Sequence, residues 1–260
     1  MKFNKIKNIW LFAAGIFLLS ACASDMQSDG GSDFLNGQGG SMARFSIKEN
    51  ILYVVDDRTL KLFDVENAAQ PFYLTARDQK LDVGVETIFT MDTLLFIGSE
   101  TGLYIYDIKS PSLPQFLSFT SHIRSCDPVV ASGNYAYVTL NTKTTRCNRG
   151  ANQLLIYDIS NPSYPVLQKE AEMYSPQGLG VDGKRNKLFV CDRGVKIFDI
   201  NNPVSPKWIG DLSYTEANGI DAYDVIPRDG ILLLIGKDGF YQFDYNGEEI
   251  QFLSKITVEK

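Results

Sequence analysis

The residues able to do chemistry are few, and their spacing excludes most kinds of it. The chain of 260 residues holds one histidine, His122, and four cysteines, at positions 22, 126, 147 and 191. A bound zinc needs three or four nitrogen and sulfur ligands, commonly with two cysteines close in sequence. One histidine and no close cysteine pair supply no such set, so no metal and no other cofactor is expected. A Ser–His–Asp hydrolase would have to be built on His122, and the chain contains no G-x-S-x-G elbow. The segment GLGVDG (178–183) spells the dinucleotide fingerprint, but KRNKLFV follows it. That is a turn and a strand, not the helix whose N-terminus must meet a pyrophosphate. What remains is the carboxylates Glu86, Asp127 and, less well placed, Asp221, the amides Gln177 and Asn218, and a basic cluster. The cluster comprises His122, Arg124, Lys143, Arg146 and Arg149, against Asp127 alone.

The elements that must position these residues are repeated. LKLFD (60–64), LYIYD (103–107), LLIYD (154–158), VKIFD (195–199) and a worn copy, FYQFD (240–244), are variants of one phrase. Taking the aromatic before each Asp as register, the spacings are 43, 51, 41 and 45 residues. A period in the forties made of short strands is the signature of propeller blades. An apolar run (LLFIG at 94–98, YAYVT at 135–139, KLFVC at 187–191) precedes the motif strand. A turn rich in Asn, Ser and Pro and another strand follow it, so each repeat holds four strands once the segment ahead of the run is counted. In LYIYDI both alternating faces are apolar, and both must be covered. A blade between two neighbours is covered on both sides. The predicted fold is therefore all-β, a five-bladed β-propeller of four-stranded blades spanning 42–260. The motif aspartates, Asp64, Asp107, Asp158, Asp199 and Asp244, are expected to close turns rather than to catalyse. Pro71, Pro114, Pro165 and Pro206, each seven residues on, fix the entry to an edge strand.

In such a blade the loop entering the first strand and the loop joining the second and third share one face. On that face the third repeat is unlike the others: NTKTTRCNRGANQ (141–153) stands where the rest have DDRT, GSETG, CDRG or GKDG. Long loops on rigid scaffolds are where binding residues concentrate. With Cys22 set aside, three thiols allow three pairings. Cys126 and Cys147 both fall on the face of the insertion, and a bridge between them would stabilise by about 3 kcal/mol. Cys191 ends an apolar strand and reads as a small buried residue. Arg124, Arg146 and Arg149 make this face a seat for an anionic partner. Glu86, Asp127, Gln177 and Asn218 fall at matching places at the starts of first strands, a ring suited to a sugar or a hydrated cation, or simply to ending strands in water.

The N-terminus supplies an address. Lys2, Lys5 and Lys7 precede an apolar run, Ile9 to Leu19, that is too short to span a bilayer. Leu19-Ser20-Ala21-Cys22 resembles the lipobox of bacterial lipoproteins. The resemblance implies a signal peptide over 1–21 and lipidation of Cys22, with each buried methylene contributing about 0.8 kcal/mol to anchoring. Residues 22–41, rich in Gly, Ser and Asp, read as a flexible tether. Residues 1–21 carry three Lys and no acid, so their removal takes the formal charge from −6 to −9. Such a chain has no general attraction for nucleic acid.

The five pentads in register, followed by DISNP-like turns, resemble the LVIVD-repeat proteins, β-propellers common among bacterial surface lipoproteins. The resemblance covers 42–260 and implies fold and location: the bacterial cell envelope, with the chain held by its lipid to a membrane, the outer membrane or cell surface being favoured. It brings no activity with it. The residues point to a binding or interaction module whose partner is an anionic glycan or an envelope protein. The alternative is a carbohydrate-active enzyme using the carboxylates at the channel mouth.

Overall fold

Each copy of the repeat folds as one antiparallel sheet, and five such sheets follow one another along the chain. The computed structural model describes residues 39–56, 58–81, 84–123, 128–142, 151–212 and 219–258. Blade 1 is β1 (Phe45–Lys48), β2 (Ile51–Asp56), β3 (Thr59–Asp64) and an outer strand split into β4 (Phe72–Tyr73) and β5 (Gln79–Lys80). Blade 2 is β6 (Val85–Met91), β7 (Leu94–Ser99), β8 (Gly102–Asp107) and β9 (Gln115–Ser121). Blade 3 is β10 (Val129–Ser132), β11 (Tyr135–Leu140), β12 (Gln153–Asp158) and β13 (Val166–Glu172). Blade 4 is β14 (Leu179–Asp182), β15 (Lys187–Cys191), β16 (Val195–Asp199) and β17 (Lys207–Asp211). Blade 5 is β18 (Ala222–Arg228), β19 (Ile231–Gly236), β20 (Gly239–Asp244) and β21 (Gln251–Thr257). The all-β, five-bladed, four-stranded architecture expected from the period is the one observed.

The repeated phrase has a physical reason at each letter. In every blade the motif Asp accepts the backbone N–H two residues on, at 2.7–2.9 Å: Glu66, Lys109, Ser160, Asn201 and Asn246. The residue after the Asp donates its N–H to the first hairpin of the same blade, as Ile108 does to Thr93 and Ile159 to Asn134. This ties the third strand to the turn between the first two. The motif aromatic pairs with the outer strand, where four blades supply a second ring: Phe63 with Tyr73, Tyr106 with Phe116, Phe198 with Trp208 and Phe243 with Phe252. In blades 2–5 a β-bulge sits immediately before the motif aromatic, turning the outer strand along the blade. The worn fifth copy keeps the Asp turn and replaces the apolar contact at Gln242 with a hydrogen bond from Ser254 at 2.9 Å.

Apolar side chains on both faces of the blades form the core. One buried cluster joins blades 1 and 2, a second runs through blades 2, 3 and 4, and a third joins blades 4 and 5. Among the described residues no such cluster joins blade 5 back to blade 1. There the closure is polar. Ser41 is fully buried, donates its hydroxyl to Asp224 on β18 at 2.8 Å and accepts the N–H of Leu179 on β14 at 2.8 Å. The N–H of Met42 reaches the other Asp224 oxygen at 3.2 Å. By composition Ser41 belongs to the tether; in the structure it is the pin of the ring.

The fingerprint-like glycines have a packing role. Gly178 donates its N–H to Tyr223 O at 2.8 Å, so β14 and β18 meet backbone to backbone. A Cβ at Gly178 would overlap the Asp224 carboxylate, and one at Gly180 would stand 2.7 Å from Val225 O. Gly183 leaves room in the same way for the Ser132 hydroxyl. These glycines let the innermost strands approach, and no helix follows them.

Candidate functional site

Beyond the core layer shared by blades 3 and 4, the two sheets part and leave a half-open cleft of about 690 Å³. Its floor is the outer part of the faces that the two blades turn toward each other: Leu154, Ile156 and Ala171 from blade 3, Phe198 from blade 4. Met173 and Tyr174, in the segment leading to blade 4, form one wall, and Pro206 and Trp208 form the other. The polar rim is Lys169, Glu172, Asp192, Lys196 and Ser205.

The cleft falls where the hydrogen bonds that join the neighbouring blades are not repeated. Between blades 1 and 2 the Tyr53 hydroxyl bonds to Pro111 O at 2.7 Å, and between blades 2 and 3 the Ser118 hydroxyl bonds to Pro162 O at 2.7 Å. Counting four residues from the outer-strand proline, Lys169 stands where Ser118 does, and Pro203 matches Pro162. Lys169 is exposed and makes no hydrogen bond to Pro203, and the sheets stay apart.

The aromatic walls are fixed although they are open to water. Trp208 is 57% exposed, and its indole N–H donates to Asp211 Oδ1 at 3.2 Å. Lys196 holds that carboxylate from the neighbouring strand at 3.6 Å. The Arg193 guanidinium lies 3.1 Å from the centre of the Tyr174 ring. The buried Asp192 carboxylate accepts the N–H groups of Tyr174 and Ser175, at 3.2 and 2.7 Å. Exposed rings held in this way present contact area at small ordering cost.

The insertion that distinguishes repeat 3 is rooted on this cleft. Thr142 bonds to the Asn152 side chain through both N–H and hydroxyl, at 3.0 and 3.1 Å. Asn152 in turn donates its amide to Tyr174 O at 2.9 Å and accepts the Met173 N–H on its carbonyl at 2.9 Å. Asn141 donates its amide to Pro176 O. Both ends of the loop are therefore stitched to the 173–176 segment that walls the cleft.

The other predicted site residues are distributed as follows. Glu86 lies half-buried at the start of β6, and Gln177 lies half-buried just ahead of β14, so both stand at the entries to first strands. The backbone carbonyl of Gln177 takes the Thr139 hydroxyl at 2.6 Å. Cys22, Arg124, Cys126, Asp127, Arg146, Cys147, Arg149 and Asn218 lie outside the described residues. Cys191 is fully buried and free, and burial, then the nearby Asp224 charge, pushes its thiol pKa up. Asp224 itself was not marked by position in the repeat. It is 7% exposed, and burial raises its pKa to about 6 against the opposing pull of its hydrogen bonds. Tyr174 and Trp208 also went unmarked. The available signal was Trp208, one of the chain's two tryptophans, which occupies an edge strand next to Ile209.

The family model for the LVIVD repeat matches residues 123–171, nearly all of blade 3 and its insertion. Solved structures share the fold. A functionally unknown protein from Desulfotomaculum acetoxidans DSM 771 aligns with TM-score 0.64 at 13% identity, over 80% of this chain and 67% of that one. A protein from Lactobacillus plantarum aligns with TM-score 0.59 at 12% identity, over 81% and 69%. Apo AztD from Citrobacter koseri aligns with TM-score 0.57 at 10% identity, over 84% and 60%. At these identities the likeness is one of fold alone. No curated protein matches the sequence. Fold and site thus define a β-propeller with an interblade cleft. Within that class, the chain is a five-bladed propeller whose third blade matches the LVIVD repeat model over residues 123–171.

Proposed function

We propose that this protein is a lipid-anchored binding module of the bacterial cell envelope, and that it takes its partner in the cleft between blades 3 and 4. The observation that carries the reading is the coincidence of the cleft, its two fixed aromatic walls and the roots of the only long insertion among the strand 2–3 loops. Pockets of this size with an apolar floor and few polar groups are the usual form of a binding site. Among the described residues that line the cleft, the buried carboxylate, Asp192, is committed to two backbone N–H groups. Anchoring rests on Leu19-Ser20-Ala21-Cys22 and the short apolar run before it.

Two measurements test the two halves. Cys22→Ser should move the protein from the detergent phase to the aqueous phase on phase separation; continued partition into detergent contradicts anchoring. Tyr174→Ala with Trp208→Ala should abolish retention of the partner on the immobilised protein while thermal unfolding changes little, since both rings are at least half exposed. Full retention by that variant removes the cleft from consideration.

A further inference from the structure

We infer that the occupant of this cleft is an extended acidic segment of a partner protein, which seats a large apolar side chain against Phe198 and Trp208 and sets its carboxylates beside Lys169 and Lys196. The inference rests on the reading of the cleft as the binding site and adds the chemistry of what enters it.

The floor decides between ligand classes. Leu154, Ile156, Ala171 and Phe198 carry no hydrogen-bonding side-chain group, so a sugar laid on this floor would lose water from the hydroxyls that face it and recover partners only at the rim. An apolar side chain loses nothing and gains contact with Trp208, whose ring is already held by Asp211. The half-open shape admits a chain that passes through, and a planar bilayer cannot enter a space between two sheets.

Charge decides the rest. The chain carries a formal charge of −6, whereas the rim of this cleft is balanced, with Lys169 and Lys196 against Glu172 and Asp192. Lys169 makes no ion pair with a described residue, Arg193 spreads its charge over Tyr174, and Lys196 stands 3.6 Å from Asp211. Of the nearby acids, Asp192 is buried and accepts two backbone N–H groups, and Asp211 is shared between the Trp208 indole and Lys196, which leaves Lys169 as the rim cation without an ion pair to a described residue. Glu172 is the one exposed carboxylate left on the rim among the described residues. A segment with Asp or Glu flanking the apolar residue meets these cations, while the surrounding negative surface rejects acidic partners elsewhere.

Trp208 supplies the readout, because it is the only tryptophan after the signal peptide is removed. The mature protein is titrated with a ten-residue peptide bearing Leu-Phe flanked by Asp and Glu. The comparison probes are the same peptide with Lys for each acid, the same peptide with Ala for Leu-Phe, an oligogalacturonate, and laurate. The acidic Leu-Phe peptide should shift Trp208 emission and bind at least tenfold more tightly than either altered peptide. Lys169→Glu should weaken it about tenfold and favour the Lys version. Lys169→Ser, which restores the hydroxyl found at Ser118, should narrow the cleft and weaken every peptide alike. Equal binding of the acidic and Lys peptides, or an emission shift with oligogalacturonate or laurate alone, overturns the acidic-segment inference while leaving the cleft as the site. If no probe shifts the emission while a labelled peptide still binds by anisotropy, the cleft reading itself fails and the inference with it.

Discussion

Replacing Asp224 with Asn tests how the ring is closed, because this carboxylate is the one buried charge at the meeting of blades 4, 5 and 1. Its oxygens accept Ser41 Oγ at 2.8 Å, Val225 N at 3.0 Å and Met42 N at 3.2 Å, with no cation among these partners. Burial raises its pKa to about 6. An acid that titrates higher folded than unfolded binds protons more readily in the folded state, so its contribution to stability grows as pH falls. Against an unfolded value near 4, the contribution amounts to about 3 kcal/mol, fully present below about pH 4 and lost as pH rises through about 6. Roughly 1.4 kcal/mol of it should appear between pH 7.5 and pH 5. Asp224→Asn removes the charge but turns an amide N–H₂ toward a donor, either Met42 N–H or the Ser41 hydroxyl, at a cost of about 1–3 kcal/mol. The two effects oppose each other at pH 7.5, so absolute stability there decides little. The slope decides. Urea unfolding of the mature chain at pH 7.5, 6.5, 5.5 and 5 should show the parent gaining stability relative to the variant as pH falls. Parallel curves for parent and variant would refute a buried, unpaired carboxylate at the closure.

Three further outcomes are expected. Gly180→Ala places a Cβ 2.7 Å from Val225 O and against the Pro227 ring, and should lower stability by about 1–3 kcal/mol in urea titration, from overpacking between β14 and β18. Deleting residues 240–260 removes the buried rings of Tyr241, Phe243 and Tyr245, each worth about 3–5 kcal/mol. The remaining four blades should unfold cooperatively, and a protease-resistant four-blade fragment would contradict this. Arg146→Ala with Arg149→Ala should weaken binding of the acidic Leu-Phe peptide at least threefold, measured by anisotropy, with an unchanged melting temperature, because the insertion that carries them is rooted on the cleft wall.

The fold was legible because its causes are local and repeated. Five aspartates at one register closed five turns in one way, and apolar residues on both faces of LYIYD required neighbours on both sides. The insertion was legible for the same reason, as a departure from a measurable period. The cleft was not, because its lining comes from two neighbouring repeats, Lys169 on the outer strand of blade 3 and Trp208 on that of blade 4, and no local pattern joins them. Asp224 is not legible because it lies one residue past the place that matches Glu86, beyond a β-bulge that blades 2 and 5 share, and its partners Ser41 and Met42 come from far along the chain. Ser41 lies in a stretch whose Gly-Ser composition is that of a linker, and only its burial and its two hydroxyl bonds show otherwise. The letters of GLGVDG were present, but their meaning depended on the strand that presses against them.

The most direct test of a partner in the cleft is photo-crosslinking in intact cells with benzoylphenylalanine placed at position 174, at position 208, and at position 116 as control. Phe116 is 56% exposed on the outer strand of blade 2, where Ser118 bridges to the next blade. A discrete adduct from positions 174 and 208, absent from position 116, is the predicted result. Adducts of equal yield from all three positions, or from none while position 86 at the entry to β6 gives one, would place binding elsewhere and contradict the account.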